Sequence, residues 1–107
     1  MKKLFLYLIT YSLLLSSFSQ SYDPGKVDKK AIALYNQAME QAQDGRLDNA
    51  ADLLQQAIQT DSKYLEAWLS LAGVYGQQKN YKASIEYYEK AFRQDADYTM
   101  EYKLPYS

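Results

Sequence analysis

The chain has 107 residues, a formal net charge of −1, no cysteine and no histidine. Without cysteine there is no disulfide, thiolate metal site, thiol nucleophile or lipidated cysteine of a bacterial lipoprotein, and without histidine the commonest general base and metal ligand is missing. No basic stripe or cluster is present to draw a nucleic-acid backbone.

Lys2 and Lys3 precede a twelve-residue, mostly apolar run, Leu4–Leu15, and Ser17 and Ser19 then stand three and one positions before Gln20. Charge, apolar core and small-residue site in that order predict a secretory signal peptide over residues 1–19. An uncleaved anchor is the alternative, but a span takes about 20 apolar residues, and Ser16, Ser17 and Ser19 interrupt this run early. The expected mature chain, Gln20–Ser107, keeps ten Lys or Arg against thirteen Asp or Glu, a net charge of −3, and no membrane span. A domain of under about 90 residues has a marginal core, and ten tyrosines after Gln20 supply much of it.

Residues 20–30 open with the polar, aperiodic QSYDPGKV and read as a polar tether. Asp28 reads as the N-cap of a helix running to roughly Asp44, which Gly45 ends in the left-handed region. Asp48 opens a second helix that closes near Thr60. Asp61-Ser62 makes the next turn and caps a third helix, Tyr64–Gln78, at whose end Asn80, tolerant of positive φ, is expected to act as Gly45 does. A fourth helix covers Tyr81–Gln94, and Asp95-Ala96-Asp97 breaks it.

The periods are helical. Leu47, Ala50, Ala51, Leu54, Ala57 and Ile58 fall at three- and four-residue spacing, and Tyr81, Ser84, Ile85, Tyr88, Ala91 and Phe92 repeat that stripe at the same offsets. No segment alternates with period two, and helix formers dominate. The chain is predicted to be all-α.

The shared offsets extend to whole units, because residues 31–64 and 65–98 are one 34-residue unit written twice. Ala33/Ala67, Ala38/Ala72, Gln43/Gln77, Ala57/Ala91, Asp61/Asp95 and Tyr64/Tyr98 are identical, and Leu34/Trp68, Leu47/Tyr81, Leu54/Tyr88 and Ile58/Phe92 pair large with large. A fixed period of this length signals a solenoid, in which each unit buries its apolar face against a neighbour.

The second unit resembles a tetratricopeptide repeat. Trp68, Leu71, Ala72 and Tyr75 fill the aromatic, leucine, small and tyrosine places of the family's first helix, and Ser84, Tyr88 and Ala91 those of its second. Ala96 stands where the family's proline usually follows. The first unit matches at Ala38, Ala50, Leu54, Ala57 and Gly45, whereas Gln37 and Gln41 replace the leucine and tyrosine, through a wetter capping side or through divergence. Residues 99–107 continue the register to Tyr102 before Pro105 interrupts it, and read as a truncated third unit or a capping segment. The resemblance implies two antiparallel helix-turn-helix units in a short right-handed α-solenoid, plus the start of a third helix pair.

The signal peptide, tether, repeats and the tail from Asp97 to Ser107 together are similar to the N-terminal part of OmpA-family outer-membrane proteins. Those carry such repeats ahead of a peptidoglycan-binding domain. That likeness implies a periplasmic or outer-membrane setting, with the peptidoglycan-binding residues beyond Ser107.

In this family the first helices of successive units line a concave groove that holds an extended peptide or a partner helix. Carried onto this chain, the groove shows Ile32, Tyr35, Met39, Ala42 and Gln43, then Glu66, Leu69, Gly73, Gly76 and Gln77. Tyr35 and Met39 sit one turn apart and form either an adaptable apolar contact or packing against the next unit. Gly73 and Gly76 each cost a helix about 1 kcal/mol, and they admit either a ligand backbone or a neighbouring helix. The family's carboxylate clamp is absent, since its places hold Tyr35, Met39, Ser70, Met100 and Leu104. Tyr87 and Leu53 form either a second contact patch or the seam between units. Asp61, Asp95 and Asp97 lie at turns, where capping explains them better than acid–base chemistry. The expectation is a non-enzymatic, exported scaffold without cofactor or metal. Its partner is another protein or a copy of itself, and self-associating structural repeats are the alternative.

Overall fold

The computed structural model describes residues 22–103. They form a 3-10 turn at Pro24–Lys26 and five helices: α1, Lys29–Gln43; α2, Leu47–Thr60; α3, Leu65–Gln77; α4, Tyr81–Gln94; and α5, Ala96–Lys103. Among the described residues there is no strand, as the periods require. The expected signal peptide, residues 1–19, and the segment Leu104–Ser107 lie outside the described residues.

The helix ends follow local chemistry. Asp28 caps α1, its Oδ1 accepting the N–H groups of Lys30 at 2.8 Å and Ala31 at 3.3 Å. Beyond α1 the Arg46 N–H donates to the Gln41 carbonyl and the Gly45 N–H to that of Ala42, with Gly45 at φ 78°. This is a Schellman closure. It recurs one repeat later, where Asn80 N–H donates to the Tyr75 carbonyl and Lys79 N–H to that of Gly76.

Three local expectations are corrected. The residue at positive φ after α3 is Lys79, at 64°, not Asn80; Asn80 instead caps α4, accepting the Ala83 N–H at 3.4 Å. Asp48 lies inside the first turn of α2, whose N-cap Arg46 makes no side-chain bond. There its carboxylate faces the positive end of the helix dipole. Asp61 does not cap α3, whose N-cap is Tyr64; it accepts the Lys63 N–H within its own turn.

A side chain in the left-handed region costs about 1–2 kcal/mol that glycine avoids, less the extra freedom glycine has when unfolded. Lys79→Gly is therefore expected to raise stability by about 0.5–1 kcal/mol, read as a higher urea midpoint. An unchanged or lower midpoint would mean that the lysine side chain contributes something beyond the turn.

The helices stack in chain order, α1 on α2, α2 on α3, α3 on α4, and α5 on both α4 and α3. Small residues sit where helices approach most closely: Ala31, Ala38, Ala50, Ala57, Ala67, Ala72 and Ala91 are fully buried. Around them Leu54 and Leu71 are buried to the same degree, in one cluster that joins α1, α2 and α3. A second cluster gathers Leu65, Leu69 and Ala91, with Tyr22, Trp68, Tyr88 and Tyr98 packed against it. The one buried hydroxyl between α3 and α4 is satisfied, since Ser84 Oγ donates to the Ala72 carbonyl at 2.8 Å.

Candidate functional site

The face expected to form the groove is made by α1 and α3, and its residues differ widely in access. Tyr35 is half-buried, its hydroxyl 3.0 Å from Ser70 Oγ and its ring 5.3 Å from that of Tyr64. Two places of the absent carboxylate clamp thus hydrogen-bond each other across the repeat boundary. Met39 is half-buried and packs against the first cluster with Ile32 and Ala42, while Gln43 and Gln77 are exposed. Leu69 is only 2 % exposed, so it serves the second cluster rather than an open surface.

Gly73 and Gly76 are half-buried. A Cβ on Gly73 would meet nothing nearer than the Tyr88 hydroxyl at 4.0 Å, and one on Gly76 would meet Ser84 Oγ at 3.4 Å. The neighbouring α4 thus comes close at Gly76, through Ser84, and leaves Gly73 open. Gly73→Ala is expected to add about 1 kcal/mol of stability from helix propensity. If a partner backbone lies along this face, the same methyl lowers its affinity, so thermal midpoint and binding should move in opposite directions.

The Tyr87–Leu53 patch is the seam between units. Both side chains pack on the first cluster, and the Tyr87 ring lies 5.4 Å from those of Trp68 and Tyr75. Lys90 reaches over Tyr87 at 5.1 Å and pairs with Glu86 at 3.5 Å. Burial, with Tyr75 and the Glu86 carboxylate beside it, raises the pKa of the Tyr87 hydroxyl. Trp68 Nε1 donates to the Ser62 carbonyl at 2.9 Å, which fixes the ring at the helix start.

The open apolar surface is elsewhere, on α4 and α5. Tyr81, Ile85, Phe92 and Met100 are 60, 58, 48 and 57 % exposed. One repeat earlier, Leu47 and Ile58 pack on the first cluster and Ala51 is buried within it. The stripe is the same and the cover differs: among the described residues α5 packs on α4 and α3 and leaves Tyr81, Ile85, Phe92 and Met100 open. Between α4 and α5 lies a cavity of about 550 Å³ lined by Ile85, Tyr88, Glu89, Phe92, Arg93 and Thr99. Thr99 is 2 % exposed, and its buried hydroxyl has no hydrogen-bond partner.

The sequence motif and this helix stacking agree with a tetratricopeptide-repeat family model that matches residues 41–103, more than half of the chain. The chain belongs to the tetratricopeptide-repeat family. No curated protein matches it. Tetratricopeptide repeats are in general protein-interaction modules, so a scaffold role follows for this chain. Among the described residues no helix is long and apolar enough to cross a membrane.

Asp61 and Asp95, equivalent in the repeat, are structural. Each uses Oδ1 for its own turn, accepting the N–H of Lys63 at 3.1 Å and of Tyr98 at 3.0 Å. The sequence signal that pointed to the end face was present in the aligned stripes, Leu47, Ala51 and Ile58 beside Tyr81, Ile85 and Phe92. What it lacked was which element covers each stripe.

Proposed function

We propose that this tetratricopeptide-repeat protein is a non-enzymatic scaffold that docks a helix of another protein against the end face of α4 and α5. The observation that carries this reading is the unequal cover of one repeated stripe. The preceding copy of the stripe is packed into the first cluster, with α3 following α2, so its open copy fits an amphipathic helix with the apolar spacing of α3. Ile85, Phe92 and Met100 supply the anchors, and Glu89 and Arg93 form a polar rim. The groove of α1 and α3 is a second docking surface, supported by the bare backbone at Gly73 and the exposed Gln43 and Gln77.

We place the protein in the exported compartment of a bacterial envelope, on the strength of the charge, apolar run and small-residue order at its start. The chain recovered from its native cell is expected to begin at Gln20. The likeness to OmpA-family proteins supports an outer-membrane-associated setting and rests on the same segment and the tail.

A photo-crosslinking residue replacing Tyr81 tests the docking. One discrete adduct with a different polypeptide, together with a monomeric purified chain in sedimentation, is the expected result. Adducts containing only this chain, with mass rising with concentration, would instead establish self-association through the same face.

A further inference from the structure

The segment before α1 is held by two equivalent aspartates. Asp61 and Asp95 each spend one carboxylate oxygen on their own turn, and each turns the other to the backbone of residues 22–28. Asp95 Oδ2 accepts the Tyr22 N–H at 3.2 Å, and Asp61 Oδ2 accepts the Asp28 N–H at 3.0 Å. The two ends are also seated in apolar sockets. Tyr22 packs on the second cluster, its ring edge-on to Tyr98 at 4.9 Å, and Val27 packs on the first. Between these anchors Asp23, Pro24, Gly25 and Lys26 are exposed. They are shaped only by their own turn, in which Asp23 Oδ1 accepts the Gly25 N–H at 2.9 Å.

We infer that residues 22–28 are a built-in ligand: a detachable strap filling a peptide site that runs past the turns before α3 and α5 and covers Leu69. The site reads two backbone N–H groups six residues apart, plus an aromatic side chain at the first. A partner it fits is an extended protein segment with that arrangement. The Tyr22 hydroxyl is buried at the start of α3, within reach of the backbone N–H groups of Glu66 and Leu65. Tyr98 has already taken the nearby carboxylate, donating its hydroxyl to Glu66 Oε1 at 2.8 Å. Two-point attachment with an exposed middle lets the segment leave while the helices stay packed, since only Tyr22 and Val27 belong to the clusters.

The test uses the full chain and a synthetic peptide spanning Gln20–Asp28, followed by amide chemical shifts of Glu66, Leu69, Asp95 and Tyr98. The intact protein is expected to show ring-to-ring contacts between Tyr22 and Tyr98. Tyr22→Ala is expected to release the strap and to bind the peptide saturably about tenfold more tightly than the intact chain, whose own strap competes. Tyr22→Phe keeps the ring in its socket against Tyr98 and is expected to bind the peptide as weakly as the intact chain does. Peptide binding that is equal in all three, or absent from folded Tyr22→Ala, overturns the strap. So does loss of the fold in Tyr22→Ala, because the segment would then be core. None of these measurements uses a partner protein, so they stand apart from the docking of a helix on α4 and α5.

Discussion

Leu71→Ala is expected to cost about 3–5 kcal/mol, most of the stability that a domain of this size holds, which is on the order of 4–12 kcal/mol. Leu71 is fully buried within the cluster that joins α1, α2 and α3. A deletion there leaves a cavity whose cost depends on how far the walls close in. Much of the surrounding surface is alanine, at positions 38, 50, 57 and 67, all fully buried. Alanines have no side chain that could swing into the space, so the upper part of the range applies. The cluster spans both repeats, so they should lose structure together, in one urea transition with a lowered midpoint, rather than the second alone. A loss below about 1 kcal/mol would mean that the repeats are not joined through this residue. Ile85→Ala, at a side chain 58 % exposed, is the control and should change little.

The helices and their order were legible because period, caps and repeat all point the same way. Asp28 and Gly45 act as their residue types suggest, and the offsets of α2 reappear in α4. The left-handed position after α3 was misread on residue preference, since asparagine tolerates positive φ better than lysine. The Schellman bonds are set by where the helix ends, and the repeat puts Lys79, not Asn80, in the place of Gly45. Leu69 was placed in the groove by its position in the family's first helix. It is buried in the second cluster, against which Tyr22, Trp68, Tyr88 and Tyr98 pack, and no period predicts the resting place of an aperiodic segment such as the one that carries Tyr22. The bonds from Asp61 and Asp95 to that segment span 33 and 73 positions, a separation that capping patterns do not encode. The exposure of Ile85 and Phe92 was hidden for the opposite reason. Their offsets are those of a core stripe, and whether a stripe in a solenoid is core depends on the next element.

That dependence gives the second large effect. Ile85→Asp combined with Phe92→Asp is expected to abolish docking on the end face, at least a hundredfold if each anchor contributes about 1.4 kcal/mol or more. The adduct formed from position 81 should disappear. Folding should hardly respond, because both side chains are about half exposed already, at 58 and 48 %. What the fold loses is mainly helix propensity, about 0.5 kcal/mol per aspartate. Separate readouts are essential here, since a destabilised chain would also stop binding. Helicity and urea midpoint should therefore stay near those of the parent while the adduct is lost. The reverse pair of results, a full adduct with both aspartates in place, would remove the end face from consideration and leave the groove. Gly73→Ala then becomes the deciding substitution, because it stabilises α3 and obstructs only what lies against it.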